Sequence, residues 1–545
     1  MVLLQAMDYL TLSRPSLSRM DLGISYQNKN PLMIQFFEWN SRGSDEKTWW
    51  QFFEQEIPRL VKIGFTQAWL PPPNKAMVKE GRGYDAYDLW DLGEFDQKDG
   101  KATRWGTKDQ FISACSTAKA HGLGTIIDAV LNHKLGADKT EIFPAVRVNP
   151  QNRNIEIGPV EEIEGWTGFE FPGRGSQYSK FKWNQQHFTG VDHDNRTKSV
   201  GIFKIVGTGH KGWSKRVDKE LGNYDYLLGM FPSNSNLILF NLLTPPKGVD
   251  IDHRHPDVRK DLISWGHWVS EMSGSNGFRL DAIKHMDYKF LLEFIRSLNS
   301  RKRERNMNLF VVSECWSSKT IRKYMRALRG ETSFFDVPLH NNFHRASRLG
   351  SDFDLRKIFS GTLVKNRPGD AVTFVDNHEQ VAIFHSDCVF YGDLYSGQLY
   401  DPDVGSVLLD LIRLRQTFAY GKQIDYIKSS PLSNCIGFVR MGLNNSPQAC
   451  VVLLSNAKSV QPDCTTHGSD LNYHTLSICL GRNLKIAEPE QRNAHKRYHN
   501  VLENVSNPTD VVTNASGVGK FRCSFGKLAV WVEAKSGVID DEKVI

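Results

Sequence analysis

Eight short apolar runs rich in β-forming residues alternate with amphipathic segments along most of the 545-residue chain, and this alternation constrains the fold more than any other feature. Such alternation is typical of parallel βα units. Residues 49–63 carry apolar side chains at helical spacing, and residues 111–121 form another candidate helix. The closure we predict for eight such units is a (β/α)₈ TIM barrel. The eight candidate strands cover residues 32–39, 65–71, 124–133, 277–283, 309–315, 334–339, 371–378 and 388–393.

Two stretches of the chain do not fit the barrel pattern. The gap between the third and fourth candidate strands is far longer than a normal βα connection, and its mixture of glycine, aromatic and polar residues predicts an irregular β-rich inserted domain. Short strand candidates near the end predict an antiparallel β domain. The predicted division is an N-terminal extension 1–28, a barrel 29–133 and 250–420, an inserted domain 134–249, a C-terminal β domain 421–535 and a tail 536–545.

Composition excludes several other classes of protein. Apolar residues make up 40% of the chain and aromatic residues 11%, which is too much for a disordered chain. The net charge of +7 requires neither nucleic acid nor an anionic membrane as a partner. No apolar run is long enough to span a membrane, and the start of the chain lacks a clear secretory signal. The 8 cysteines show no disulfide or zinc spacing, so we expect reduced thiols and a cytoplasmic location.

Chemically capable side chains follow the C-terminal ends of the candidate strands, the face at which such barrels build their active sites. Asp281 in GFRLDAIKH and Glu314 in VVSECW end adjacent strands, as two-carboxylate sugar chemistry requires. In that chemistry one carboxylate attacks or stabilises the anomeric centre, and the other protonates the leaving oxygen. Arg279 lies on the same face of the strand as Asp281, where its guanidinium can keep that carboxylate ionised. A purely structural ion pair is the alternative.

Four motifs, DAVLNH (128–133), GFRLDAIKH (277–285), FVVSECW (310–316) and FVDNHE (374–379), stand in the order and spacing of four short blocks of the α-amylase family of glycoside hydrolases. Segments such as PLMIQFFEWN, GYDAYDLWDLGEF and FDVPLH resemble the bacterial liquefying and intracellular fungal α-amylases. The resemblance extends over roughly residues 30–535. It implies retaining hydrolysis of internal α-1,4-glucosidic bonds in starch, glycogen or maltooligosaccharides, by carboxyl groups about 5–5.5 Å apart.

The resemblance also implies a role for each residue at a matching position. Asp281 would be the nucleophile and Glu314 the general acid/base, with Arg279 orienting Asp281. The third catalytic carboxylate would belong to Glu379, where the family has Asp, and the longer side chain displaces that carboxylate by about an ångström. The residues implied in substrate binding, besides Arg279, are Tyr84, His133, Lys284, His285 and His378.

A structural Ca²⁺ is the cofactor that the resemblance implies. In the family it clamps the inserted domain to the barrel, and as a hard cation it takes oxygen ligands. Ser214 and Arg254 stand where some relatives have acids that bind further ions, so we expect one site. The matching ligand positions are Asn132, Asp225, Asp250 and the backbone of His285.

The sequence departs from the family pattern in two places. Only residues 379–387 separate the seventh candidate strand from the eighth, which is too few for a crossover with a helix, so barrel helix 7 is predicted to be missing. Conversely, the apolar segment 229–248 is an unusual insertion where the family has a short loop. A functional lid is one explanation of the insertion. The hypothesis we favour is that both anomalies are errors of exon assignment, and a transcript that encodes this chain would refute it.

Three activities therefore remain open at this point. The leading one is an α-amylase; the alternatives are an α-glucan transglycosylase, in which a sugar hydroxyl replaces water, and a catalytically impaired carbohydrate-binding relative. Asp281 and Glu314 favour chemistry, whereas Glu379 and the missing helix oppose it. The expected partner is an α-glucan polysaccharide or oligosaccharide, with no nucleic acid or membrane partner, and the protein is expected to be a monomer.

Overall fold

The computed structural model describes residues 30–150, 152–207, 248–303, 309–374, 377–378, 389–395, 402–421, 423–427, 432–442, 448–458, 473–479, 496–502, 510–515, 518–525 and 527–533. Structural statements below concern these residues. Predictions for Glu379, Asp225, Ser214, barrel helix 7 and nearly all of segment 229–248 lie outside the described residues.

The first part of the barrel contains three barrel strands, two helices and a small β-ribbon. Both helices begin at a Thr whose side chain accepts a hydrogen bond from a backbone N–H one turn later, in a capping box completed by Gln. Both predicted helices are confirmed. The elements are β1 (Met33–Gln35), α1 (Trp49–Ile63), β2 (Gln67–Leu70), β3 (Lys75–Ala76), β4 (Ala86–Asp88), α2 (Lys108–Ala120) and β5 (Gly124–Ala129).

The insert that follows β5 forms one six-stranded antiparallel sheet. Its first and last strands pair with each other, so the chain leaves and re-enters the barrel at neighbouring points. The strand order is β6-β11-β9-β10-β7-β8. The strands are β6 (His133–Leu135), β7 (Lys139–Val148), β8 (Glu156–Gly168), β9 (Phe188–Asp194), β10 (Ser199–Ile205) and β11 (Gly248–Ile251), with a 3₁₀ turn at Gln185–His187.

The second part of the barrel returns to alternating helices and strands. Its 3₁₀ turns are Ile283–His285, Gly350–Asp352, Leu355–Lys357 and Pro368–Asp370. The longer elements are α3 (Pro256–Ser273), β12 (Gly277–Leu280), α4 (Tyr288–Arg303), β13 (Phe310–Ser313), α5 (Ile321–Ala327), β14 (Ser333–Phe335), α6 (Val337–Leu349), α7 (Leu363–Asn366), β15 (Ala371–Val372), β16 (Val389–Phe390), α8 (Tyr391–Leu394) and α9 (Pro402–Phe418).

A C-terminal β region completes the described chain. Its six-stranded antiparallel sheet has the order β17-β18-β19-β24-β21-β22, and β20 pairs with β23. Across the described ranges, no helix is both long and apolar enough to cross a membrane. The strands are β17 (Gln423–Asp425), β18 (Cys435–Arg440), β19 (Cys450–Ser455), β20 (Tyr473–Cys479), β21 (Arg497–Asn500), β22 (Val511–Val512), β23 (Val518–Ser524) and β24 (Leu528–Glu533).

All eight predicted barrel strands belong to one parallel sheet, with the order β15-β14-β13-β12-β5-β2-β1-β16. This order runs from the seventh barrel strand back to the first and ends at the eighth, as in a (β/α)₈ barrel opened between strands seven and eight. Among the described residues, no hydrogen-bonded pairing joins β15 to β16. The predicted fold, a (β/α)₈ barrel with additional β domains, is confirmed.

The candidate strand 334–339 was wrong in its second half. β14 ends at Phe335, and α6 begins two residues later. The Asp336 carboxylate caps this helix by accepting a hydrogen bond from the Leu339 N–H at 3.1 Å, and a proline in the first turn favours the helix start. The candidate strand 124–133 was also too long, because His133 pairs with Asp250 of the insert rather than continuing the barrel sheet.

A buried lysine packs where the insert meets the barrel. Lys134, in β6, donates a hydrogen bond to the carbonyl of Tyr87 in β4. Its Nζ also lies 5.1–5.3 Å from the ring centroids of Phe169, Phe171 and Trp183. The contacts of this cation with aromatic faces compensate in part for the cost of its burial. The hydrogen bond to Tyr87 joins the insert to the barrel.

Gly277, the first residue of β12, has no room for a larger side chain. A Cβ there would lie 2.0 Å from the carbonyl oxygen of Phe310 and 2.9 Å from Cδ1 of Ile126. We expect Gly277→Ala to lower the free energy of unfolding by about 3 kcal/mol in urea denaturation. The control is Gly100→Ala, whose Cβ would meet only the flexible Lys79 side chain at 3.6 Å. An equal effect of both substitutions would contradict this prediction.

Candidate active site

Three carboxylates surround one buried guanidinium at the C-terminal ends of adjacent barrel strands. Arg279 in β12 is fully buried, and its Nη1 lies 2.7 Å from Oδ1 of both Asp128 and Asp281. Its Nη2 lies 2.8 Å from Oε1 of Glu314. Asp128 and Arg279 are register partners in β5 and β12, so both side chains point to the same side of the sheet. The predicted pair Asp281 and Glu314 is therefore brought together by Arg279.

Asp128 is the member of this cluster that sequence analysis did not single out. Its Oδ2 accepts hydrogen bonds from Nε1 of Trp69 at 3.0 Å and from the Tyr84 hydroxyl at 2.6 Å. These contacts hold the Tyr84 ring beside Arg279, at 5.7 Å from the guanidinium carbon to the ring centroid. The available signal was an acid inside the otherwise apolar run of β5, where an unpaired charge would be costly.

Both oxygens of Glu314 are fixed by hydrogen bonds. Oε1 accepts from Nε1 of Trp316 at 2.8 Å, and Oε2 accepts from the backbone N–H of Ala282 at 3.1 Å. Ala282 has a left-handed backbone with φ of 47°, which is uncommon outside glycine. The turn that follows Asp281 thus directs an amide at the neighbouring acid, so the two carboxylates are positioned by one piece of backbone.

The charges of the cluster do not balance. Burial raises the pKa of Asp281 well above its ordinary value, and the charges of Glu314 and Asp128 add to this, whereas Arg279 opposes it. Burial also raises the pKa of Asp128. The expectation that Arg279 keeps Asp281 ionised is therefore too simple, because one cation faces three acids in a buried site.

Aromatic rings and two neutral imidazoles lie next to the cluster. The rings of Tyr84 and His378 are stacked at 5.0 Å with 8° between their planes, and Trp39 lies nearly parallel to both at 6.1 Å. Nε2 of His133 donates to the carbonyl of Tyr84 at 2.7 Å. Burial lowers the pKa of His133 to about 4 and, helped by Arg279, lowers the pKa of His378 well below its ordinary value.

The remaining predicted substrate residues, Lys284 and His285, lie in the 3₁₀ turn after Asp281. The Tyr324 hydroxyl fixes this turn by donating to the carbonyls of Lys284 at 3.3 Å and Met286 at 2.7 Å. His285 is buried close enough to His133 for their charges to interact. Both predicted residues therefore lie within a few residues of the carboxylate cluster.

A small pocket opens beside Glu314. Its walls are mostly aromatic and include Trp69, Trp316, Phe335 and Phe374. Aromatic faces with a few polar groups are suited to the apolar faces and hydroxyls of a sugar ring.

Two of the predicted metal ligands are neighbours where the insert joins the barrel. Asn132 is fully buried, and neither Oδ1 nor Nδ2 has a hydrogen-bond partner. Its carbonyl accepts from the N–H of Ile251, next to Asp250, which is also fully buried. The described residues contain no group of three or more His, Cys, Asp or Glu side chains able to hold a metal. An unpartnered buried amide oxygen beside a buried carboxylate nevertheless fits a cation that prefers oxygen ligands.

Comparison with known proteins gives several relatives along almost the whole chain. No family model matches it. The chain is 36% identical over 537 residues to an α-amylase of Geobacillus stearothermophilus, covering 93% of this chain and 88% of the relative. It is 35% identical to a glucan 1,4-α-maltohexaosidase of Bacillus sp. (strain 707), covering 94% of each. It is 34% identical to a cytoplasmic α-amylase of Escherichia coli (strain K12), covering 92% of this chain and 99% of the relative.

Solved structures agree on the fold. A crystal structure of an α-amylase from Geobacillus thermoleovorans in complex with acarbose matches with a TM-score of 0.53 at 13% identity, covering 94% of this chain and 99% of the other. A cyclomaltodextrinase matches with a TM-score of 0.54 at 15% identity, covering 93% of this chain and 78% of the other. At these identities the likeness concerns the fold alone.

Proposed function

Since the chain belongs to the α-amylase family of glycoside hydrolases, we propose that its carboxylate cluster hydrolyses internal α-1,4-glucosidic bonds of starch, glycogen or maltooligosaccharides with retention of configuration. One observation carries the proposal: Arg279 holds Asp281 and Glu314 beside each other at the ends of adjacent barrel strands. Two neighbouring carboxyl groups, one able to attack and one able to give a proton, are what retaining glycosidases use.

In the first step, an oxygen of Asp281 forms a bond to the anomeric carbon while the bond from that carbon to the leaving oxygen breaks. Glu314 gives its proton to the leaving oxygen, so the released glucan carries a new hydroxyl group. Arg279 stabilises the carboxylate of Glu314 that remains and orients Asp281 for the attack.

In the second step, a water molecule hydrolyses the glycosyl intermediate on Asp281. Glu314 takes a proton from the water as its oxygen binds the anomeric carbon, and the bond to Asp281 breaks. Both groups then return to their starting states. The product has the configuration of the substrate, because the carbon is inverted twice.

The other predicted residues would bind the substrate. Tyr84 offers an aromatic face, and His133 and His378 offer neutral imidazoles that bond sugar hydroxyls without adding charge. Lys284 and His285, on the turn after Asp281, would contact the leaving side. The third carboxylate is proposed to be that of Glu379, which could bond sugar hydroxyls in spite of its extra methylene.

Incubation of the protein with amylose and with maltopentaose tests this function. We expect iodine staining of amylose to fall faster than reducing ends appear, because internal cleavage shortens chains early. We expect only products shorter than maltopentaose. Products longer than maltopentaose would indicate a transglycosylase, and glucan binding without any product would indicate a binding protein; either outcome would contradict the proposal.

A structural Ca²⁺ belongs to the same proposal. Its ligands would be Asn132, Asp225, Asp250 and the carbonyl of His285, and bound there it would clamp the insert to the barrel. The unpartnered amide oxygen of Asn132 supports this assignment.

Chelation of Ca²⁺ is expected to lower the unfolding temperature, because a cation that binds only the folded state stabilises it. Differential scanning calorimetry with EDTA, and with Ca²⁺ restored, measures the effect. Asn132→Ala should remove most of the difference, while Asn154→Ala, at an exposed position, should keep it. An unchanged unfolding temperature of the wild type in EDTA would contradict the site.

We also propose a cytoplasmic location. The E. coli relative bears that description, and the thiols of Cys115, Cys315 and Cys450 are outside any disulfide bond, which suits a reducing compartment. Fractionation of the source cells would test it, and recovery from the culture medium would overturn it.

A further inference from the structure

Gln35, the last residue of β1, contacts the imidazole of His378, and both side chains are buried. The Gln35 side chain is fully buried, and its Nε2 lies 3.1 Å from Nδ1 of His378. The same Nε2 donates to the carbonyl of Phe37, also at 3.1 Å. One amide nitrogen therefore lies within hydrogen-bond distance of both a backbone carbonyl and an imidazole nitrogen.

The Phe37 carbonyl decides which way the Gln35 amide points. A carbonyl oxygen can only accept, so the amide nitrogen rather than the amide oxygen must face it. The second N–H of that nitrogen is then directed at Nδ1 of His378. Because an amide N–H can only donate, Nδ1 must accept and carries no proton. In a neutral imidazole the proton then sits on Nε2.

Gln35 also has a feature that stability alone does not explain. Its Oε1 is buried and has no hydrogen-bond partner in the described part of the chain. An unpaired buried acceptor costs stability, and an apolar side chain of similar shape would avoid this cost. The presence of an amide at this position therefore favours a role for Gln35 in the site over a role in stabilising the fold.

We propose that Gln35 is a positioning residue that fixes His378 as the neutral Nε2–H tautomer, so that the imidazole donates a hydrogen bond to a hydroxyl of the bound sugar. The ring cannot turn freely, because it stacks on Tyr84. Arg279 faces the same imidazole, and its charge opposes a second proton on the ring. The tautomer is thus set by Gln35 and the neutral state by Arg279 and burial. This inference rests on the proposed function only for its kinetic consequences.

The first test replaces Gln35 by Met, which has a similar shape but no donor. We expect kcat/KM on maltopentaose to fall about tenfold, the equivalent of one lost hydrogen bond, with an unfolding temperature no lower than that of the wild type. Gln67→Met is the matched control, since Gln67 is another buried glutamine of the barrel sheet and begins β2, whereas the cluster lies at the C-terminal ends of the strands. It should keep wild-type kcat/KM. Equal losses in both variants would overturn the proposal.

The second test replaces Gln35 by Glu, whose carboxylate accepts a hydrogen bond from Nδ1–H of His378, whereas the Gln35 amide donates one to Nδ1. This raises the pKa of His378. Below the raised pKa the imidazolium still donates through Nε2, and above it the neutral ring keeps its proton on Nδ1 and stops donating. We therefore expect kcat/KM of Gln35→Glu to stay close to the wild-type value at low pH and to fall as the pH rises. The pH profile of the wild type should not show this decrease. A loss by one constant factor at every pH would contradict the tautomer assignment.

Nitrogen-15 NMR of histidine-labelled protein separates this inference from the proposed function. The expected wild-type spectrum has the His378 proton on Nε2 and an unprotonated Nδ1, and Gln35→Met should give a mixture of tautomers. An inactive wild type with this spectrum overturns the proposed function and leaves the assignment standing. An active wild type with the proton on Nδ1 overturns the assignment alone.

Discussion

Glu314→Gln is expected to lower kcat on starch by about 10³-fold or more, because general acid–base catalysis typically supplies 10²–10⁴ and Glu314 acts in both steps. Gln has no proton to give to the leaving oxygen. The wild-type carboxylate accepts hydrogen bonds from Trp316 on one oxygen and from Ala282 on the other. Gln replaces one of these oxygens by a donor nitrogen, so one of the two hydrogen bonds is lost as well. Initial rates of reducing-end release measure the loss.

An aryl maltotrioside with an acidic phenol as leaving group distinguishes loss of the acid from general damage. That leaving group departs without a proton, so the first step should be far less impaired in Glu314→Gln, visible as a burst of phenolate. Glu46→Gln, at an exposed position, is the control and should retain full activity on both substrates. Equal loss on starch and on the aryl substrate would argue against Glu314 as the acid.

Asp281→Asn is expected to abolish activity on both substrates, with kcat lower by about 10⁴-fold, because loss of the nucleophile removes the covalent route whatever the leaving group. The fold should not suffer. One cation now faces three buried acids, and removal of one of them relieves repulsion with Glu314 and Asp128. Thermal unfolding should therefore occur at the wild-type temperature or above it.

The combination of lost activity and retained stability is the informative result for Asp281→Asn. A variant that is inactive because it unfolds would show that Asp281 is needed for the fold. A variant that keeps more than about a tenth of wild-type activity on both substrates would contradict its role as nucleophile.

Much of the fold could be predicted from the sequence, because periodicity reports burial directly. All eight barrel strands and the helices predicted at 49–63 and 111–121 were found from the sequence pattern, although most strands are shorter than the apolar runs. The run that ends in FFDVPL shows why: apolar residues continue into a helix start, and only Asp336 and the following proline mark the change. The boundaries of the inserted and C-terminal domains stay predictions.

The candidate site was predictable in its reacting residues and less so in its supports. Asp281 and Glu314 directly follow two neighbouring strands, and Arg279 lies two residues before Asp281, so a local pattern points to all three. Asp128 and Gln35 belong to other strands, and their contacts with Arg279 and His378 join segments far apart in the chain. No local pattern encodes such contacts. The raised pKa of Asp281 is likewise a property of its burial and of its neighbouring acids, which no single residue reveals.

The anomeric configuration of the first product tests the central claim most directly. Proton NMR of a maltooligosaccharide digest, recorded in the first minutes before mutarotation, reads the configuration of the new reducing end. Two neighbouring carboxylates acting through a glycosyl intermediate on Asp281 predict the α-anomer as the initial product. An initial β-anomer would mean a single displacement by water, and would contradict the assignment of Asp281 as nucleophile and Glu314 as acid.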